Sequence, residues 1–160
     1  IPREAKVLYR GTLINYNLTG CVGQAMLRSW LARLTLCPVA LDLNPAFPTR
    51  NDRHCWSVMI DNRQMNSIQR LAFEVNKQGK IYRQTFTRNP APDTGKSEYI
   101  PPFFRSPFYR DVTSCYTRVK DVPVTPLKPV SVTYGYLSVF NNLKWEPVAY
   151  AGPREGRFLF

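Results

Sequence analysis

CVGQAMLRSWLARLTLCPVALDLNPAFPTRNDRHCWSVMID, residues 21–61, decides the fold, because it passes once from helical to extended chemistry. The opening segment, CVGQAMLRSWLARL (21–34), is rich in helix formers and largely apolar, with Gln24, Arg28, Ser29 and Arg33 as its polar interruptions. It predicts a helix beginning near Cys21 and buried on most sides. NLTG (17–20) supplies a turn before it, where Thr19 can cap the helix by accepting a backbone N–H bond. Pro38 ends the helical pattern, and VALDL (39–43) reads as a strand before the loop NPAFPTRNDR (44–53). In HCWSVMID (54–61) the period of two sends His54, Trp56, Val58 and Ile60 to one face and Cys55, Ser57, Met59 and Asp61 to the other.

Further along, LAFEV (71–75) predicts a partner strand and KIYRQTFT (80–87) another extended piece. Residues 89–126 interleave Pro101, Pro102, Pro107, Pro123 and Pro126 with Phe103, Phe104, Phe108 and Tyr109. Rings need burial and prolines exclude a central strand, so this stretch predicts an irregular arm laid over the core. From Pro129 the pattern changes to VSVTYGYLSVF, a turn at NNLK, then WEPVAYA and RFLF, successive antiparallel strands of a β-rich module. The expected architecture is α+β: a core with its arm over residues 1–125, then the start of a β-sandwich-like module over 126–160.

The 160 residues suffice for one sizeable core and part of another. With 44% hydrophobic residues the chain can offset its conformational entropy, which excludes a disordered polymer. Its 22 Lys and Arg exceed 11 Asp and Glu, giving a net charge of +11 that suits an anionic glycan, an acidic membrane surface or nucleic acid. The cations are scattered and no RNA- or DNA-binding motif is present, so nucleic acid is the weaker partner. No apolar run is long enough to span a membrane, and the N-terminus lacks a signal-peptide pattern. The start at Ile1, without an initiator Met, suggests that a preceding segment has been removed or lies outside this chain.

Four cysteines, Cys21, Cys37, Cys55 and Cys115, form no C-x-x-C pair, so neither a structural metal site nor a disulfide framework is expected. No cofactor motif is present. A cysteine in an apolar helix is most often a small buried hydrophobe, and Cys37, Cys55 and Cys115 read as structural thiols. Cys21 differs in standing at a predicted helix N-terminus, where unpaired N–H groups and the helix dipole favour a thiolate. A base is then required within hydrogen-bond reach, and the only histidine of the chain, His54, opens a strand. An acid must orient the imidazole. Asp61 lies an odd number of residues from His54 and so faces away, whereas Glu74, on the next predicted strand, can stand across from it.

These blocks resemble the transglutaminase-like proteins of gut Bacteroidetes, members of the papain-like cysteine enzyme superfamily. There a Cys opens a helix ending in a segment of the type ALGIPV-x-x-D, followed by a loop and a G-H-x-W-N-V strand. Arg33 to Asp42 and His54 to Asp61 are similar to that pattern, as are LAFE (71–74), KIYRQTFTRN (80–89), PPFFRSPFYRDVTSCY (101–116) and YLSVFNNLKWEPVAYA (136–151). The resemblance implies a papain-like core with Cys21 as nucleophile, His54 as base and Glu74 as orienting acid, with Asp61 second. It implies acyl transfer or amide hydrolysis on a protein, peptide or peptidoglycan-like substrate, outside the cytoplasm or at the cell surface. Arg53 replaces the family's glycine before His, Cys37 falls in its Gly-Ile region, and Ser57 replaces its usual Asn. The competing expectation is a catalytically inactive module of the same fold that binds an anionic glycan or protein.

Overall fold

The computed structural model describes residues 20–60, 79–93, 98–128 and 130–160. Among them the protein is mixed α and β, with one α-helix and antiparallel sheets. The helix α1 covers Cys21–Leu34, as its composition predicts. Its N-cap is Gly20, which has no side chain to offer the N–H groups of the first turn, and Thr19, the expected cap, lies outside the described residues. The helix is buried along a single line, Ala25 and Ser29. Val22, Met26, Leu31 and Leu34 are exposed, so the expected burial on most sides is not found. The helix rests mainly against β1 and β2, on the side that Ala25 and Ser29 face.

Strands β1 (Val39–Asn44) and β2 (His54–Met59) pair antiparallel from Val39–Met59 to Asn44–His54. Beyond β1 lie β3 (Tyr82–Gln84) and the edge strand β4 (Tyr109–Asp111), completing the order β2-β1-β3-β4. The predicted extended piece at 80–87 is thus strand for only three residues. LAFEV lies outside the described residues. The proline–aromatic stretch supplies two 3-10 turns, Pro102–Arg105 and Thr113–Cys115, but also β4 itself. Tyr109, Arg110 and Asp111 are not prolines and keep their N–H groups, so an edge position is open to them despite the prolines around them.

Register separates the two faces of the sheet. Asp42 pairs with Trp56 and Arg83, while Leu43 pairs with Cys55 and Tyr82. On the first face Trp56 and Val58 pack with Ile81, Val112 and Tyr116. On the second, Tyr82, Ile100 and Phe104 form a core joined by Phe103, Tyr109, Tyr136 and Tyr150. Tyr136 and Tyr150 come from the hairpin of β6 (Gly135–Asn141) and β7 (Lys144–Ala151), and the Tyr82 hydroxyl donates to the Val148 carbonyl at 2.8 Å. Asn142 and Leu143 both have positive φ, 50° and 62°, the geometry of a two-residue hairpin turn matched to strand twist. β5 (Pro123–Val124), β8 (Pro153–Arg154) and β9 (Arg157–Leu159) form a small sheet ordered β5-β9-β8. Residues on both sides of the expected boundary at 125 therefore hydrogen-bond to each other.

Candidate functional site

Cys21 is the first residue of α1, half-buried, beside N–H groups that the helix does not use. The helix α1 that Cys21 begins packs on β2. The neighbouring thiol registers the contact. Cys55 is pushed up to about 11, first by burial and then by the negative charge that Cys21 and Asp42 can carry. Cys55 is thus a buried, protonated thiol, as the sequence implies, and it marks where the Cys21 charge is felt.

His54 opens β2 opposite Asn44. Its ring lies 5.5 Å from that of Trp56 and nearly parallel to it, at 21°. Burial lowers its pKa; Asp52 opposes that shift and Arg50 reinforces it. The imidazole is therefore biased toward the neutral form, the form that can accept a proton. The loop leading to it is tied down from a distance: Asn141 Nδ2 donates to the carbonyls of Phe47, Arg50 and Asp52 at 2.9, 2.7 and 3.0 Å. Alternation places His54 on the Trp56 face of β2 and Cys55 on the other, as the period of two predicts.

Behind His54 lies a buried chain of hydrogen bonds. Trp56 Nε1 donates to the Tyr116 hydroxyl at 2.9 Å, which donates to Asp42 Oδ2 at 2.7 Å. Arg83 grips the same carboxylate with Nε and Nη2, each at 2.8 Å. Sequence reasoning counted Asp42 only as part of a familiar pattern; a carboxylate inside an otherwise apolar strand was the signal that it needed a buried cation. Asn44 was missed altogether, being read as loop. Glu74 and Asp61, the two candidate acids, lie outside the described residues, so Cys21 and His54 are the members of the expected triad whose surroundings are seen. No group of three or more His, Cys, Asp or Glu side chains among the described residues is placed to hold a metal ion. Among them, no helix is long and apolar enough to cross a membrane.

A second concave feature lies toward the β4 edge of the sheet. It is an open groove of about 630 Å³, bordered by Lys80, Phe103, Tyr109, Arg110, Tyr150 and Arg154. Phe103 and Tyr109 stack there with centroids 4.7 Å apart. Compared with known proteins, the chain matches no family model, no curated protein and no solved structure.

Proposed function

We propose that the protein performs cysteine-dependent acyl transfer or amide hydrolysis on a protein, peptide or peptidoglycan-like substrate, in the manner of a transglutaminase-like, papain-like core. The observation that carries this reading is the packing of α1, which Cys21 begins, against β2, which His54 begins, together with the influence of Cys21 on Cys55, the residue next to His54 in sequence. Cys21 is the first residue of α1, and His54, whose pKa is lowered by burial, is biased toward the neutral form that can take a proton.

In this mechanism His54 takes the Cys21 proton and the thiolate attacks an amide carbonyl. The tetrahedral intermediate collapses to a thioester as the amine leaves with the proton from His54. Water or a second amine then attacks the thioester, giving up a proton to His54, and Cys21 is released as thiol. Glu74 is the acid proposed to orient His54, with Asp61 as the alternative. By the same resemblance the substrate lies outside the cytoplasm or at the cell surface.

The test is the pH dependence of iodoacetamide labelling at each cysteine, read by peptide mass spectrometry in the parent and in His54→Ala. Rapid labelling of Cys21 below about pH 6.5, where an ordinary thiol of pKa about 8.5 is almost wholly protonated, and its loss in the variant support the enzyme. Labelling of Cys21 no faster than Cys37 at any pH sinks it.

The groove favours a second reading, a non-catalytic module for an anionic glycan or protein. Its stacked ring pair offers apolar faces to sugar rings or side chains, and Arg110 and Arg154 can meet anionic groups, Lys80 being paired with Asp111 at 3.0 Å. Titration with a uronic-acid oligosaccharide separates the two. Binding that is lost in Arg110→Ala and unchanged in Cys21→Ser supports the module, whereas no binding at low salt counts against it.

A further inference from the structure

β4 is the last strand of the four-stranded sheet, and its ladder with β3 fixes which of its main-chain groups are used. Asp111, Arg110 and Tyr109 pair with Tyr82, Arg83 and Gln84. On either side of them the Val112 N–H donates to the Ile81 carbonyl at 2.9 Å and the Thr85 N–H to the Phe108 carbonyl at 2.8 Å. Partners in an antiparallel ladder alternate between those that share hydrogen bonds and those that do not. Arg83 and Arg110, midway between these two bonded pairs, are therefore a bonded pair as well, while the main-chain groups of Tyr109 and Asp111 are not used by β3. Their N–H and C=O groups point to the other side, where no described strand lies.

The open groove of about 630 Å³ is bordered by Tyr109, Arg110 and Asp111 alike. Alternation puts the side chains of Tyr109 and Asp111 on one face of the sheet and that of Arg110 on the other. A concavity that touches all three runs along the edge of β4 and not over one face. Ala149, Ala151 and Gly152, at the end of β7 and just beyond it, border the same groove with little side-chain bulk. Across the ladder Arg110 stands directly opposite Arg83, and like charges so placed repel. Asp42 compensates Arg83, but no ion pair joins Arg110 to a described residue. Of the other charges on the groove, Lys80 and Asp111 pair with each other at 3.0 Å, and Arg154 and Asp121 carry opposite signs, which leaves the cation of Arg110 in excess.

We propose that this groove holds an extended peptide segment as an added strand, antiparallel to β4, with an acidic residue across from Arg110 and apolar residues on either side of it. A polypeptide main chain carries donors and acceptors in the alternation that Tyr109 and Asp111 present, and a glycan does not. Incoming residues opposite Tyr109 and Asp111 exchange main-chain bonds with them. The one beside Tyr109 shares its face with the Phe103–Tyr109 stack, whose centroids are 4.7 Å apart, and is apolar for that reason. The residue between them turns its main chain away from β4 and is selected by the charge of Arg110. β4 is three residues long, so the shared ladder covers about 10 Å. The proposal takes the protein alternative of the binding-module reading in place of the glycan; it rests on the groove of that reading and not on Cys21 chemistry.

The probe is an acetylated and amidated peptide of about seven residues, with glutamate at its centre and valines beside it, titrated into the protein at low salt and followed by NMR. Methylating the main-chain nitrogen of either valine next to the glutamate is expected to weaken binding about tenfold, because that N–H meets a β4 carbonyl, and methylating the glutamate nitrogen to change it less than about twofold. Arg110→Glu is expected to shift the preference by roughly fivefold toward the same peptide with lysine at its centre. No binding at about 1 mM peptide overturns the proposal, as does binding whose response to methylation does not alternate along the peptide. If Arg110→Glu does not fold, the methylated series on the parent decides alone. A uronic-acid oligosaccharide that binds through Arg110 where the peptide does not bind keeps the module and rejects strand addition. If neither binds, both are rejected.

Discussion

Arg83 holds Asp42 through two parallel hydrogen bonds of 2.8 Å, and Asp42 has no accessible surface at all. Burial works against the charge of Arg83, but the bond and charge of Asp42 more than restore it, so the guanidinium is held above its ordinary range. Removing one partner leaves a buried charge with nothing to compensate it, at a cost on the order of 3–5 kcal/mol. Arg83→Met is therefore expected to lose about that much in urea unfolding, and the double variant with Asp42→Leu to lose clearly less. A single-variant loss below about 1 kcal/mol would show the pair to be dispensable.

The alkaline limb of stability follows from Cys55. Its folded pKa, about 11, lies above the value of 9.0 expected in the unfolded chain. The unfolded state therefore ionises first as pH rises. The contribution is fully present below about pH 9 and is lost between 9 and 11, amounting to roughly 2–3 kcal/mol at about 1.4 kcal/mol per pKa unit. Tyr82, raised by burial and then by Asp111 and Tyr150, adds to the same limb. Cys55→Ala should flatten the fall of Tm across this window; an unchanged slope would assign the whole effect to other groups.

Asn141, 2% exposed, fastens three carbonyls of the loop that delivers His54 to the sheet. Asn141→Ala removes this donor from the Phe47 carbonyl, while the Arg50 and Asp52 carbonyls keep the N–H groups of Asp52 and Phe47, a loss of about 1–2 kcal/mol. It should also speed proteolysis between Phe47 and Arg53 under native conditions. Equal cleavage rates in parent and variant would mean that the loop is held by other contacts.

Leu143 occupies a left-handed conformation, φ 62°, at the exposed tip of the β6–β7 hairpin. A side chain there costs about 1–2 kcal/mol against its Cβ sterics, which glycine avoids. Leu143→Gly is expected to raise stability by roughly 0.5–1 kcal/mol, part of the relief being offset by the entropy of the more flexible unfolded chain. Chemical denaturation read by tryptophan fluorescence checks the sign.

Local chemistry made several elements legible in advance. The helix formers of 21–34 end at Pro38, the alternation of 54–60 separates a Trp56 face from a Cys55 face, and NNLK between two β-prone runs turns a hairpin. Each depends on contacts within a few residues, which a linear pattern records. The burial of α1 was misjudged because apolar content tells how much surface a helix can bury, not how many neighbours it meets. β4 was hidden by the prolines around it, since they restrict their own positions and the residues just before them and leave Tyr109 to Asp111 free to pair.

The site divides in the same way. The sequence by itself determined that Cys21 starts a helix, that His54 starts a strand, and that the two strands flanking residues 44–53 are joined by a loop. Only the tertiary structure decided that Asn44 stands across from His54 with an unspent carbonyl oxygen, that Asp42 is held by Arg83 and Tyr116, and that Asn141 fastens the loop from ninety residues away, as the separation of 91 between it and Arg50 records. Register and burial create these relationships. A residue's partner across a sheet is set by the packing of the whole core, and no local preference of Asn, Asp or Arg encodes which distant chain segment will arrive to meet it.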